Sequence, residues 1–380
     1  MKIRESVLSL KDELIRIRRD LHRIPEPGFK EYRTLKYIYD YLDALSPDIL
    51  LMNRGVKAVF RGSGGKNIAF RADIDALPLN ERTGLEFTSL NEGFMHACGH
   101  DGHTAILLMF ARMIAGMRDH LKNTIVLIFQ PNEEEGLGAD ELIRLGFLEE
   151  PHIDELYGLH IWPEFEEHDI VLSSGALMSG MHNFSVTFTG RSVHGTLPHM
   201  GRDPVVAAAS FIMSSQTVVS RNSSPFEPVV FTVGSIHGGT AANVVAESVR
   251  IECTLRSFTE KSLSFARKML YEHAYSSGRA FDVEVHTETL ADSLPVVNDP
   301  GLALKAMDMF DEKEKEHIIT SASVMPSEDF ACYQRKTKTM FFLLGSKNET
   351  CCHTLHSDTY LLNEDVLPDG VELFLRIAES

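Results

Sequence analysis

Residues 103–159 read HTAILLMFARMIAGMRDHLKNTIVLIFQPNEEEGLGADELIRLGFLEEPHIDELYGL, and the fold follows from how this stretch alternates. A helix-length apolar segment (about 103–119) gives way to the six-residue run TIVLIF at 124–129, then to a second helical pattern near 139–146 and a short run at 156–159. Short β-type runs alternating with helices favour an α/β domain with a largely parallel sheet. Outward from here the pattern persists. Upstream lie helical patterns at 4–22 and 31–46, the first stopped by Pro25, Pro27 and Gly28, and a β-type run at 68–71. Downstream of about 293 come a helix near 301–311, a strand at 340–344 and a final helix near 364–378.

Between these halves the texture changes. Phe184, Val186 and Phe188 alternate as in a half-buried antiparallel strand, followed by a helix at 203–220, strands at 229–235 and 249–256, a helix at 259–276 and a strand at 281–287. This β-α-β-β-α-β order suits an α+β module with helices on one face of an antiparallel sheet. The expected fold is therefore an α/β domain, with a mostly parallel sheet and helices on both faces, interrupted by an inserted α+β domain. The expected division is 1–176, 177–292 and 293–380, the first and last forming one domain.

Composition narrows the function. With 37 Lys+Arg against 54 Asp+Glu the formal net charge is −17, which argues against nucleic acid and anionic membrane as partners. No apolar run approaches the roughly 20 residues of a membrane span, and the amino-terminal segment lacks the unbroken apolar stretch of a secretory signal, so a cytoplasmic location is expected. Five scattered cysteines make no disulfide framework.

In open α/β sheets, sites form beyond the carboxyl ends of strands. The run at 68–71 leads into Asp73 and Asp75, TIVLIF into Glu133, Glu134 and Glu135, the run at 156–159 into His160, and the strand at 340–344 toward His353 and His356. The densest cluster is HACGHDGH (96–103), with Cys98 and His100 expected in the loop before the helix. Taken singly, each piece also fits a plain role: loop histidines, a small buried thiol, a solvated glutamate turn. Jointly, four strands delivering carboxylates and imidazoles to one rim is how a metal site is assembled. GSGGKN (62–67) lacks the spacing of a phosphate loop and reads as a turn.

The ordered motifs RRDLHRIPEPGFKE, RADIDALP, MHACGHDGH, FQPNEEEGLGA, GLHIWP, SVHGTLPHMGRDP, GGTAANVV, SEDFACY and LHSDTYLLNED resemble a metal-dependent amidohydrolase family. It includes hippurate hydrolase, N-acetyldiaminopimelate deacetylase and plant indoleacetyl-amino-acid hydrolases, within the aminoacylase and carboxypeptidase group. The resemblance implies hydrolysis of N-acyl-L-amino acids at a pair of divalent metals. Cys98, His100, Glu134, His160 and His356 would be the ligands, Glu133 the general base toward a water held by the metals, and Asp73 an orienting carboxylate. In the wider group a carboxylate stands where this chain has Cys98, and a His where it has Arg71, which leaves Zn, Mn, Co and Ni all open as the metal. The inserted module resembles a lid and dimerisation domain. From it His194 would polarise the scissile carbonyl, with Asn243 and Arg256 reaching the substrate, and a homodimer or higher homo-oligomer is implied. Alternatives are a metallo-exopeptidase or dipeptidase on the same fold, a cysteine hydrolase using Cys98, or a non-catalytic metal-dependent binding protein.

Overall fold

A computed structural model describes residues 1–380 and divides them into two compact units. The first comprises Met1–Leu177, Val297–Ala322 and Asp329–Ser380; the second comprises Met178–Val296 and Ser323–Glu328. Elements are numbered in chain order. Of the four crossings, two fall within short strands, β7 (Gly175–Met178) and β12 (Val296–Asn298), and two bound the segment Ser323–Glu328.

The first unit is built on eight strands: β1 (Ile49–Asn53), β2 (Gly55–Phe60), β3 (Asn67–Asp73), β4 (Thr124–Gln130), β5 (Glu155–Glu166), β6 (Ile170–Val171), β13 (Ile318–Ile319) and β14 (Lys338–Lys347). They lie in the order β1-β2-β4-β3-β5-β14-β6-β13. The central β4-β3-β5-β14 pairings are parallel, while β1/β2, β2/β4 and β6/β14 are antiparallel, so the sheet is mixed. Strands β3 and β4 are both buried almost end to end, which is why TIVLIF in β4 runs apolar without alternation, while β3 carries the buried polar pair Arg71 and Asp73.

Helices α1 (Glu5–Leu8), α2 (Lys11–His22), α3 (Tyr32–Asp43), α4 (His100–Gly116), α5 (Gly138–Arg144), α8 (Pro300–Met307) and α9 (Leu367–Glu379) complete this unit. Ile106, Leu107, Leu108, Met109 and Phe110 of α4 are all fully buried, since α4 is packed against β3, β4 and β5 as well as α2 and α9. A helix apolar all round needs such enclosure. At roughly 1.5–3 kcal/mol per buried large apolar side chain, α4 is a principal anchor of the core.

The second unit has the strand order β11-β8-β10-β9, all antiparallel, from β8 (Gly180–Thr189), β9 (Val229–Gly238), β10 (Ser248–Ser257) and β11 (Glu284–Ser293). Helices α6 (Pro204–Thr217) and α7 (Glu260–Phe281) pack on it around Phe184, Val186, Phe188, Phe211, Ile251 and Leu255. The chain order is thus β-α-β-β-α-β, and the fold is α/β with a separate antiparallel-sheet domain.

Several local readings differ. The first helical pattern is broken at Ser9 and Leu10 into α1 and α2. The helix expected from about 103 starts at His100, because Gly99 takes a left-handed φ of +85° and turns the chain into the helix early. His160 lies within β5 rather than after it. Strands β1 and β2 have no counterpart in the sequence reading.

Candidate metal centre and its surroundings

Two triads of metal-binding groups meet in the first unit. Cys98, His100 and His160 form one, Cys98, Glu134 and His356 the other, and within each the ligand atoms lie within 4.8 Å of one another. Cys98 belongs to both. Its sulfur is 3.3 Å from His160 Nε2, and Glu134 lies 3.9 Å from His100 Nε2 through Oε1 and 3.5 Å from His356 Nε2 through Oε2.

Four separate segments deliver these groups. Cys98 and His100 flank Gly99, whose left-handed φ of +85° turns the chain into α4 directly after Cys98. Glu134 comes from the turn after β4, His160 from β5, and His356 from the segment after β14. His356 itself has φ +62°, and its N–H donates to Ala97 O at 2.9 Å, tying it to the Cys98 loop.

The imidazoles are oriented from behind. His100 Nδ1 is 3.0 Å from the Asp75 carbonyl oxygen and 3.4 Å from Asp75 Oδ1, and Asp75 Oδ2 accepts the Glu134 N–H at 3.1 Å. His160 Nδ1 is 2.7 Å from the Ile161 carbonyl, which leaves Nε2 facing Cys98. Such contacts fix which nitrogen is presented to a metal. Asp73 borders the centre: it pairs with Arg71 Nη1 at 2.6 Å and His103 Nδ1 at 2.6 Å and lies 3.9 Å from His100 Nε2, so Asp73, His100 and His103 also bring their ligand atoms within 4.8 Å of one another. His103 Nε2 in turn accepts the Ile161 N–H at 2.9 Å, so Asp73 and His103 brace the strand that carries His160.

The electrostatics suit cations. Burial opposes charging of His100, but Asp73, Asp75 and Glu134 overcome it and raise its pKa. Burial pushes the Glu134 carboxyl up, with His100 opposing. Burial, then Glu134 and Glu133, push the Cys98 thiol well up, which makes it a poor free nucleophile. Burial lowers His160 and His356. His100 Nε2 and Glu134 Oε1 are buried without any hydrogen-bond partner. Orphaned buried polar atoms cost about 1–3 kcal/mol each, and divalent cations in the two triads would meet both. The donor set of one sulfur, three imidazoles and a carboxylate fits Zn, Mn, Co or Ni better than Mg or Ca.

Glu133 is half-buried beside this centre. One of its carboxylate oxygens lies within 4.8 Å of ligand atoms of His100 and Glu134, and Oε1 accepts the Asp329 N–H at 3.4 Å. The turn that presents the pair is held at Asn132, whose φ is +52° and whose N–H donates to Glu31 Oε1 at 2.9 Å. Gly28 presses on Asn132 so closely that a Cβ there would stand 1.5 Å from Oδ1. Glu135, the third glutamate, is exposed and accepts from Asn132 Nδ2 at 3.1 Å, which turns it away from the centre.

Arg71, Asp75 and His103 support the centre; the sequence names Asp75 only as a carboxylate at a strand end and gives Arg71 and His103 no supporting role. Asp75 and His103 lay within motifs already singled out, and alternation along RADID together with the three-residue spacing from His100 was the available signal. In the second unit, His194 and Asn243 are exposed on segments joined through a bridge between His194 and Val244. Arg256 of β10 is half-buried; its guanidinium meets the Met325 carbonyl at 3.1 Å and Met181 Sδ at 3.6 Å, and burial lowers its pKa.

The family model described as Peptidase family M20/M25/M40 matches residues 69–380. The chain is 34% identical over 373 residues to an N-acetyldiaminopimelate deacetylase of Listeria innocua, covering 97% of this chain and 99% of that protein. A protein of the same name from Streptococcus gordonii is 36% identical over 368 residues, covering 95% and 96%. Among solved structures, the Bacillus subtilis YXEP protein, described as a dinuclear metal binding peptidase from the M20 family, superposes with a TM-score of 0.84 at 28% identity, covering 97% of this chain and 98% of that one. No helix is long and apolar enough to cross a membrane.

Proposed function

The chain belongs to peptidase family M20/M25/M40 and is an amidohydrolase of that family, and from that premise we propose that it cleaves the amide bond of N-acyl-L-amino acids, releasing a carboxylate and a free amino acid. The observation that carries the reading is the pair of triads sharing Cys98, with the carboxylate of Glu133 beside them and assigned to neither Cys98-containing triad. The name of the curated relatives makes an acetylated diamino diacid the first substrate to try.

An amide is a poor electrophile and neutral water a poor nucleophile. Cys98, His100 and His160, and Cys98, Glu134 and His356, would hold divalent cations, whose Lewis acidity would make water more acidic and steady negative charge on a carbonyl oxygen. Glu133 takes a proton from the attacking water as its oxygen bonds to the carbonyl carbon. It then hands that proton to the nitrogen as the C–N bond breaks, since an unprotonated amide anion is a prohibitive leaving group. Asp75 keeps His100 oriented, and Asp73 with His103 braces the backbone at Ile161 next to His160.

His194 contributes an N–H to the carbonyl oxygen. Arg256, which meets no carboxylate in the protein, pairs with the substrate carboxylate as a bidentate donor, with Asn243 as a neighbouring polar contact. Action on the metal pair, a cytoplasmic setting and a homodimer through the second unit belong to the same reading. The test is release of free amine from acetyl, benzoyl and aminoacyl substrates by metal-stripped protein, with Zn²⁺, Mn²⁺, Co²⁺ or Ni²⁺ restored. Metal-dependent release from N-acyl amino acids is expected; release from dipeptides alone would assign the chain to the exopeptidases instead.

A further inference from the structure

Thr196 stands two residues after His194, and both of its polar groups converge on one ring nitrogen. The Thr196 backbone N–H donates to His194 Nδ1 at 3.3 Å, and Thr196 Oγ1 lies 2.7 Å from the same atom. A backbone amide can only donate, so Nδ1 must carry a lone pair. A neutral imidazole holds a single N–H, which then sits on Nε2. The hydroxyl completes the arrangement by donating its own hydrogen to Nδ1.

The backbone around the ring is fixed as well. Gly195 N–H donates to Asn243 O at 2.7 Å, Val245 N–H to Val193 O at 2.9 Å and Leu197 N–H to His194 O at 2.8 Å. Asn243 O passes so near that a Cβ at position 195 would stand 2.9 Å from it, so glycine permits the approach that holds the His194 and Asn243 segments together. His194 therefore has a set backbone, a set ring nitrogen as acceptor and the opposite nitrogen left to donate.

We propose that Thr196 is a positioning residue that locks His194 in the Nε2–H tautomer, so that the ring presents a neutral N–H donor to the substrate carbonyl oxygen. This rests on the reading of His194 as the group that polarises that carbonyl. With the other tautomer Nε2 would offer a lone pair to an oxygen gaining negative charge, which is repulsive.

The experiment combines ring-¹⁵N NMR of the metal-loaded protein with steady-state kinetics on its best N-acyl amino acid, the His194 signals being assigned by their loss in His194→Ala. Wild type is expected to show the Nε2–H form. Thr196→Ser retains the hydroxyl and is expected to keep both the tautomer and kcat. Thr196→Val keeps the amide donor but loses the hydroxyl; removing one hydrogen bond predicts the Nε2–H form with kcat roughly two- to tenfold lower and KM little changed. Thr196→Asp places an acceptor against Nδ1, so the Nδ1 proton appears and kcat falls further than in Thr196→Val. An Nδ1–H ring in wild type, or a ring unchanged in Thr196→Asp, overturns the proposal. If His194→Ala keeps wild-type kcat, the reading of His194 fails instead, whatever tautomer the spectra show, and the catalytic part of the proposal falls with it.

Discussion

Replacing Asp101 by Asn tests how the loop that carries Cys98 and His100 is anchored. Asp101 follows His100 at the start of α4 and is fully buried. Its Oδ2 lies 2.8 Å from Arg18 Nε and 2.7 Å from His22 Nδ1, both on α2, and His22 Nε2 is 3.2 Å from Glu81 Oε1. Burial alone would raise the Asp101 carboxyl, but Arg18 and His22 hold it far below the usual range. The amide introduced by Asp101→Asn would keep the bond to the Gly102 N–H and lose the charge, leaving Arg18 with Glu364 at 3.3 Å. Breaking a buried ion pair from one side costs about 3–5 kcal/mol, and the remaining Glu364 contact places this case near 3. At roughly 2–4 °C per kcal/mol, calorimetry should show Tm lower by about 6–12 °C. Arg19→Ala is the control, because the Arg19–Glu364 pair is surface-exposed on the arginine side and such pairs contribute about 0–1 kcal/mol. Linkage adds a sign. Burial and Arg18 oppose protonation of His22, yet Asp101 and Glu81 leave its pKa raised, so its share of stability is present below the ordinary imidazole value of about 6.5 and lost as pH rises through the folded value. Asp101→Asn should lose that slope. A Tm shift no larger than that of Arg19→Ala would refute the reasoning.

Three further outcomes follow from single contacts. Gly28→Ala drives a methyl into Asn132 and should displace the Glu133–Glu134 turn, lowering kcat and costing about 1–3 kcal/mol in denaturant titration. Lys57 is buried on β2 with Nζ 2.7 Å from the Glu150 carbonyl, and burial pushes its pKa down to about 8 against the pull of Glu150 and Glu149. The folded protein thus binds fewer protons than the unfolded chain between about pH 8 and 10.4, so urea stability should rise across that window and the rise should vanish in Lys57→Met. Glu314 is held down at about 2 chiefly by Arg376, so its stabilisation is present above the ordinary glutamate pKa of about 4.3 and lost as pH falls toward 2; Glu314→Gln should flatten that part of the acid unfolding curve.

The alternating architecture was legible because each buried strand and helix carries its own periodicity, and the order of the second unit could be read strand by strand. Strands β1 and β2 were not, since Lys57 interrupts an apolar run in β2 and its burial depends on a carbonyl 93 residues away. The side chains of the two Cys98 triads were legible as residue types delivered by strand ends and by resemblance. Their supports were not, because these are set by distant chain: Arg71 bonds Gln130 at a separation of 59 residues and Asp329 at 258. The start of α4 at His100 turned on the φ of Gly99, a conformational choice that composition does not announce.

Glu133→Gln tests the central claim most directly, measured as metal content and as single-turnover hydrolysis of an N-acyl amino acid. The side chain stays nearly isosteric, and the two triads that share Cys98 are untouched. The account predicts wild-type metal stoichiometry with turnover lower by the roughly 10²–10⁴-fold that general acid–base catalysis contributes. Full metal occupancy with turnover within a few-fold of wild type would contradict it.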